Sequence, residues 1–380
     1  MEYQTGTGVS VLTLSAVTGF EYDGSRVKLT SAPTKECAHY WLRENDILIT
    51  RSNTHGLVGH VALYDGTPEK AICCDLIMKM QVDPTKADRR YVYYCLRSPE
   101  ARRYLSGRAQ GASPTMKKIG KAVVQDFPIP LPILEEQQRI VAVLDEAFAG
   151  IATAKANTEK NFQNAREVFK SHLQYVFAEA WQSYNLVTLS ELATDITDGD
   201  HLPPPKAETG VPFITIGNIN KDTRKIDFSD TFMVPRGYLH GLKANRKPKK
   251  GDVLFTVTGS FGIPVLVKDD VEFCFQRHIG LVRPKPSVDS AWLNYLLLSP
   301  QVFKQANDGA TGTAQKTVSL GALRSFIVPR VPPSQQRNAV TKLDGLASES
   351  RRLEIIYKQK LCALDELRQS LLHRAFIGDL

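Results

Sequence analysis

The sequence predicts an α+β fold: two similar globular domains of mixed α/β structure joined by two long helices that form an antiparallel coiled coil. Three observations lead there. At 380 residues the chain is too long for one ordinary core. It repeats itself with a period of roughly 200 residues. Each repeat ends in a long stripe of apolar residues at three- and four-residue spacing.

The repeat is read from ordered matches. Asn45-Asp46-Ile47-Leu48-Ile49-Thr50 pairs with Gly251-Asp252-Val253-Leu254-Phe255-Thr256, each a turn followed by a strand and a Gly-containing loop. Tyr94–Pro99 matches Tyr295–Pro300, and Gly111-Ala112 with Thr115 echoes Gly309-Ala310 with Thr313. Phe127–Pro130 echoes Phe326–Pro329, and Gln137-Gln138-Arg139 matches Gln335-Gln336-Arg337. Leu144-Asp145 matches Leu343-Asp344. Gly8-Val9-Ser10 lines up with Gly210-Val211-Pro212, so the opening segment of the second copy, Tyr184 to Thr209, has no partner. The first copy is therefore expected to be N-terminally shortened by about two dozen residues.

Four regions follow: a shortened first domain over 1–134, a first spacer helix over 135–182, a second domain over 183–333 and a second spacer helix over 334–380. In the second domain, Val211–Ile216, Gly251–Val257, Ile263–Val267 and Glu272–Arg283 read as strands. Leu189–Ala193 reads as a short helix, and Ser290–Leu298 as a helix ended by Pro300. Glu135 and Glu136 suit the first turn of the first spacer helix, and Ser334 the N-cap of the second. The first stripe is Leu144, Phe148, Ile151, Thr158, Phe162, Ala165, Phe169, His172 and Val176. The second is Leu343, Leu346, Leu353, Tyr357, Leu361, Leu364, Leu367 and Leu371. Two such helices in one chain pack most economically on each other.

Composition narrows the functional classes. No apolar run approaches the ~18–20 residues that span a bilayer, and no signal peptide is read at the N-terminus. Cys37, Cys73, Cys74, Cys95, Cys274 and Cys362 form no Cys-x-x-Cys pair, which argues against a zinc site and fits a reducing cytoplasm. The net charge of +8 is compatible with a polyanion partner.

Catalytic apparatus is not read. There is no phosphate-binding Gly-x-x-x-x-Gly-Lys-Ser/Thr loop, and Gly6-Thr7-Gly8 lacks a third glycine and a preceding strand. Leu202-Pro203-Pro204-Pro205 and Val331-Pro332-Pro333 put no amide or carboxylate before the prolines, as a motif for amino-group methylation would. Asp195, Asp198 and Asp200 beside His201 fit no calcium loop, and Asp-Gly-Asp is common turn chemistry.

Basic clusters are the stronger signal. Arg236, Lys243, Arg246, Lys247, Lys249 and Lys250 crowd one segment of the second domain with no acid among them. Arg97, Arg102, Arg103, Arg108, Lys117, Lys118 and Lys121 are similarly dense in the first. Such clusters neutralise phosphates and release counterions. Base discrimination needs hydrogen-bonding side chains on well-fixed loops. Arg51, Ser52, Asn53 and His55 are candidates in the first domain, and Thr258, Ser260, Thr311, Thr313 and Gln315 in the second. The alternative is a coiled-coil scaffold whose two domains bind protein partners.

Several of these segments resemble a known family. Gly111–Pro114 and the run Phe127 through Ile140 are similar to the end of a target recognition domain of a type I restriction–modification specificity subunit. Val211–Ile219 and Gly251–Thr256 are similar to the start and middle of another. The resemblance covers nearly the whole chain. It implies a non-catalytic subunit that reads a split, asymmetric sequence of double-stranded DNA, one half per domain. It further implies that the helices set the gap and dock methyltransferase subunits, two of them, with restriction/motor subunits alongside. No cofactor belongs to this chain: S-adenosylmethionine, ATP and magnesium are expected on those partner subunits, in the cytoplasm and away from membranes.

Overall fold

The structure, a computed structural model, describes residues 8–30, 40–113, 115–201, 204–312 and 315–380. Its contacts divide it into two units, Met1–Lys160 with Tyr357–Leu380, and Asn161–Ile356. Each unit holds one globular domain and a portion of both long helices.

In chain order the first domain contains β1 (Val9–Leu12), β2 (Val27–Thr30), β3 (Ile47–Thr50), β4 (Ser52–Asn53), β5 (Val61–Leu63), β6 (Ala71–Cys73) and β7 (Ile77–Met80). Helices α1 (Arg89–Arg97) and α2 (Pro99–Gly107), strand β8 (Lys117–Lys118) and helix α3 (Lys121–Gln125) lead into the long α4 (Leu134–Ser183). The second domain opens with β9 (Leu186–Thr188), α5 (Leu189–Leu192) and β10 (Ala193–Asp198). It continues with β11 (Val211–Ile214), β12 (Ile219–Asn220), β13 (Lys225–Ile226), β14 (Phe232–Val234) and α6 (Arg236–Gly241). Then come β15 (Val253–Thr256), β16 (Pro264–Leu266), β17 (Cys274–Phe275), β18 (Ile279–Pro284), α7 (Ser290–Leu298) and α8 (Pro300–Asp308). Strands β19 (Ala310–Thr311) and β20 (Thr317–Val318), helix α9 (Leu320–Arg324) and β21 (Ile327–Pro329) precede the long α10 (Pro333–Ile377).

The repeat survives as topology. In the first unit β1 lies between antiparallel β2 and parallel β6; in the second, β11 lies between antiparallel β14 and parallel β17. The antiparallel order β5-β3-β7 returns as β16-β15-β18. The second unit adds β10 along the edge of β18, and β9 beside β21. Neither has a counterpart among the described residues of the first unit. They belong to the Tyr184–Thr209 segment that lacked a partner in the sequence comparison.

The central strands are apolar on both faces because each separates two cores. Ile47 and Ile49 of β3 face the helical core with Tyr91, Leu96 and Leu144, while Leu48 faces Leu12, Ala62 and Tyr64. Val253 and Phe255 of β15 pack with Trp292 and Phe177, and Leu254 with Ile214 and Phe275. A strand buried on both sides reads as a continuous apolar run rather than an alternation.

Capping repeats too. Asp88 caps α1 by accepting from the Tyr91 amide, and Asp289 caps α7 by accepting from those of Ala291 and Trp292. Ser98 and Ser299 cap α2 and α8. Pro300 therefore does more than end a helix. It opens α8 at a position where a missing N–H costs nothing.

Within the first unit α4 and α10 run antiparallel, with Lys155 Nζ 2.8 Å from Asp365 and Arg139 donating to the Leu380 carbonyl at 2.7 Å. Within the second they do so again: Ser350 donates to the Ala165 carbonyl at 2.7 Å, and Arg166 meets Glu354 at 3.2 Å. Three details correct the sequence expectations. Helix α10 begins at Pro333, so Ser334 is inside it rather than its cap. Late in α4 the buried positions are Leu173, Phe177 and Ala180 instead of His172 and Val176, because this stretch packs into the globular core beside Trp292. Leu367 is 47% exposed rather than in the seam. A straight helix drifts against a strict heptad, which moves such positions off the stripe.

Candidate nucleic-acid interface

In the first unit β4 and β8 form a short antiparallel ladder, Ser52 opposite Lys118 and Asn53 opposite Lys117. The ladder brings Arg51, Asn53, Lys117 and Lys118 together just past the end of β3. Arg51 and Lys118 are exposed, and the main-chain carbonyl of Arg51 accepts the Ile119 amide at 3.0 Å. Asn53 is half-buried, its Oδ1 accepting the Thr54 amide at 2.8 Å and its Nδ2 donating to Thr18 Oγ1 at 3.4 Å. Lys117 Nζ donates to the Gly111 carbonyl at 2.5 Å. His55 is exposed in the following turn.

Of the other cations in the dense basic run of this domain, Arg97 and Arg102 are internal scaffolding, whereas Arg103, Arg108 and Lys121 stay exposed. Arg97 is only 6% exposed and lies against the rings of Tyr93 and Phe20. Arg102 holds the loop after β4 by donating to the carbonyls of Val58 at 2.7 Å and Gly56 at 3.1 Å. Arg103 pairs with Glu100, and Arg108 covers the Tyr104 ring. Beneath the loop, His60 Nδ1 accepts the Gly19 amide at 3.0 Å, which leaves Nε2 to donate to the Gly56 carbonyl at 3.0 Å. Burial first, then the neighbouring Arg102 guanidinium, lower the His60 pKa to about 4.

The second unit has the equivalent place past the end of β15. Thr258 bridges Thr317 and is buried, its hydroxyl accepting from Thr317 Oγ1 at 3.3 Å. Gly259, at φ +67°, donates its amide to the Lys316 carbonyl at 3.0 Å and lies under the Gln315 side chain. Ser260 and Gln315 are exposed, so Thr258, Ser260 and Gln315 are brought together. Thr311 is exposed on β19, and Thr313 lies outside the described residues.

A cleft of about 260 Å³ opens beside them, lined among others by Asp198, His201, Thr258, Arg277, His278 and Thr317. Asp198 sits on its floor, with His201 Nε2 at 2.8 Å from one oxygen and Arg246 Nη2 at 3.3 Å from the other. Asp200 accepts from the Tyr238 hydroxyl, whose pKa is raised by burial and by that carboxylate. Gly199 passes so close to β17 that a Cβ there would sit 2.0 Å from the Phe275 carbonyl oxygen. The carboxylates thus hold a turn in place, and among the described residues no group of His, Cys, Asp and Glu is arranged to bind a metal.

The basic segment of this domain is divided. Arg236 pairs with Glu272 at 2.8 Å, Arg246 with Asp198, and Lys247 donates to the His240 carbonyl at 2.9 Å. Lys243, Lys249 and Lys250 are exposed. Lys249 and Lys250 precede β15 whereas Thr258 and Ser260 follow it, so the whole strand, roughly 13 Å long, lies between the two groups. Residues that sequence reasoning passed over are Arg277 and His278 on the cleft rim, and Lys316 beside Gln315. Glu272–Arg283 read as one strand but is β17, a turn and β18. The polar triplet Gln276-Arg277-His278 inside an apolar run was the available signal.

Comparison with known proteins bears on the family and the fold. The sequence model described as type I restriction modification DNA specificity domain matches residues 9–161 and 179–357. The EcoBI specificity subunit of Escherichia coli is 23% identical over 368 residues, covering 90% of this chain and 75% of that protein. The MjaVIII specificity subunit of Methanocaldococcus jannaschii is 24% identical over 360 residues, covering 89% and 79%. Among solved structures, a chain from work on complex assembly and conformational transition of the type I R-M system superposes with a TM-score of 0.79 at 20% identity, covering 98% of this chain and 92% of that one. The HsdS subunit from Thermoanaerobacter tengcongensis superposes with a TM-score of 0.62 at 20% identity, covering 98% and 91%.

Proposed function

The chain belongs to the type I restriction modification DNA specificity domain family, and from that premise we propose that it is the DNA-recognition subunit of a type I restriction–modification enzyme. Each domain reads one half of a split target in double-stranded DNA, and the long helices set the unread gap. The observation that carries the reading is the repeated pairing, the β4–β8 ladder in one domain and the Thr258–Thr317 bridge in the other: both domains gather polar and basic side chains at the same end of the equivalent strand, β3 or β15.

Arg51, Lys117 and Lys118 suit phosphate neutralisation and registration on the duplex. Asn53 and Gln315 bear amides of the kind that pairs with an adenine edge, and Ser260 offers a hydroxyl. The chain itself performs no chemistry. Methyl transfer with S-adenosylmethionine, and ATP- and magnesium-dependent cleavage, belong to two methyltransferase and further restriction subunits in the cytoplasm. No helix among the described residues is long and apolar enough to cross a membrane. Val168, Tyr175 and Ile355 leave apolar surface exposed on the long helices, which suits docking of such partners.

Methylome sequencing of cells carrying this chain and its methyltransferase partner tests the reading. The expected result is one motif with two half-sites about one duplex turn apart, ~10 base pairs. A single continuous motif would overturn it. Salt titration separates it from a protein-binding scaffold, since phosphate neutralisation gives a steep loss of affinity with salt.

A further inference from the structure

We infer that each recognition domain is pinned to its long helix by the same two-point latch, and that the latch determines how strictly the gap between half-sites is measured. The inference rests on the split-target reading above.

The first point is a buried glutamine. Gln137 Oε1 accepts the Asp88 amide at 2.8 Å, while Nε2 donates to the carbonyls of Pro132 at 2.8 Å and Lys86 at 3.5 Å. In the other copy Gln336 Oε1 accepts the Asp289 amide at 2.7 Å, while Nε2 donates to Val331 at 2.7 Å and Ser287 at 3.4 Å. The two glutamines are 0% and 2% exposed. Asp88 and Asp289 are the N-caps of α1 and α7, so each long helix grips the start of a helix in its own domain.

The second point lies two turns further along. Tyr94 donates to Asp145 at 2.5 Å, a carboxylate that Arg90 on the same helix also holds at 2.6 Å, and Tyr295 donates to Asp344 at 2.6 Å. Burial and then the Asp145 carboxylate push the Tyr94 hydroxyl up to about 12, which keeps it a donor over the working pH range. The two anchors are roughly 12 Å apart along the helix. One anchor would leave a hinge; two fix position and tilt together.

Apolar contacts on the same stretch, Ile140, Val141 and Leu144 in one unit and Ala339, Val340 and Leu343 in the other, supply adhesion without direction. The hydrogen bonds supply direction. That matters because inserting one base pair moves a half-site by about 3.4 Å and turns it by about 35° around the duplex. A latched domain cannot follow that displacement, and an unlatched one can.

The test uses the full chain with its methyltransferase subunit, in cells holding plasmids that carry the two half-sites defined by the wild-type methylome. The gap is varied from three base pairs shorter to three longer, and methylation is read by single-molecule sequencing. The variants are Tyr94→Phe and Arg90→Gln with Tyr295→Phe, which release both carboxylate anchors, and Gln137→Leu with Gln336→Leu. The expected result is a ratio of methylation at neighbouring gaps to the native gap that rises about tenfold in the tyrosine variant, the factor given by losing one hydrogen bond to a carboxylate, and that rises likewise in the glutamine variant, with half-site sequences unchanged. A merely structural role would lower the melting temperature and total methylation while leaving that ratio alone, and that outcome overturns the inference. Altered half-site sequences overturn it as well. Should the glutamine variant fail to fold, the tyrosine variant, which keeps both aromatic rings, decides alone. A continuous wild-type motif would instead remove the split-target reading itself, a result distinct from an unchanged ratio.

Discussion

Acid should loosen the first unit before the second, and His60 is the reason. Its ring is 4.0 Å from that of Phe20, its Nδ1 accepts the Gly19 amide, and it is 7% exposed beside Arg102. A proton on Nδ1 would break the Gly19 bond and place a buried charge next to a guanidinium. The folded pKa of about 4 lies below the ordinary 6.5. The unfolded chain therefore binds the extra proton first. Stability from the neutral ring is fully present above pH 6.5 and is lost as pH falls from 6.5 to 4. At 1.36 kcal/mol per pKa unit the loss approaches roughly 3 kcal/mol. The equivalent place in the second unit is Ile263, whose carbonyl accepts the Thr256 amide as the His60 carbonyl accepts that of Thr50. His60→Ile should cost about 2 kcal/mol at pH 7, because the Gly19 amide and Gly56 carbonyl lose their partner. The variant should lose far less on acidification. Pulsed hydrogen exchange during urea unfolding at pH 7 and 4.5, read in peptides covering 47–64 and 253–266, follows the two units separately. Equal acid loss in wild type and His60→Ile would refute the reasoning.

Three other outcomes are expected. Lys117→Ala with Lys118→Ala should weaken binding to all DNA sequences and flatten the slope of log affinity against log salt by about 1–2. Altered base preference would make these lysines readers instead. Gly199→Ala should cost about 2 kcal/mol or more, since the new Cβ meets the Phe275 carbonyl. Footprinting should then show protection lost at one half-site only, and intact protection at both would refute the close approach. Phe177→Ala should destabilise the second unit by about 3–5 kcal/mol in urea unfolding; a loss below 1 kcal/mol would mean that this stretch of α4 is not part of the domain core.

The repeat, the strands β11, β15 and β16, helix α7 at Ser290–Leu298 and the two long helices were legible in the sequence. Each rests on local signals: periodicity, caps, and prolines at helix starts. The ladder residues Arg51, Asn53, Lys117 and Lys118 were legible as types, because clustered cations beside polar loops stand out in a one-dimensional reading. Their assembly was not, since β4 and β8 are joined by pairing between distant segments. The same limit applied to charge. A run of six cations in the second domain looked unopposed, yet Glu272 and Asp198 reach two of them from elsewhere in the chain. Arg97 looked like surface and is buried against aromatic rings. The sequence by itself determined a duplicated α+β chain with two helical stripes and basic loops. Only the tertiary structure decided which cations remain exposed, and how each domain is tied to its helix. Local preference follows from neighbours along the chain, whereas ion pairing and buried hydrogen bonds depend on neighbours in space.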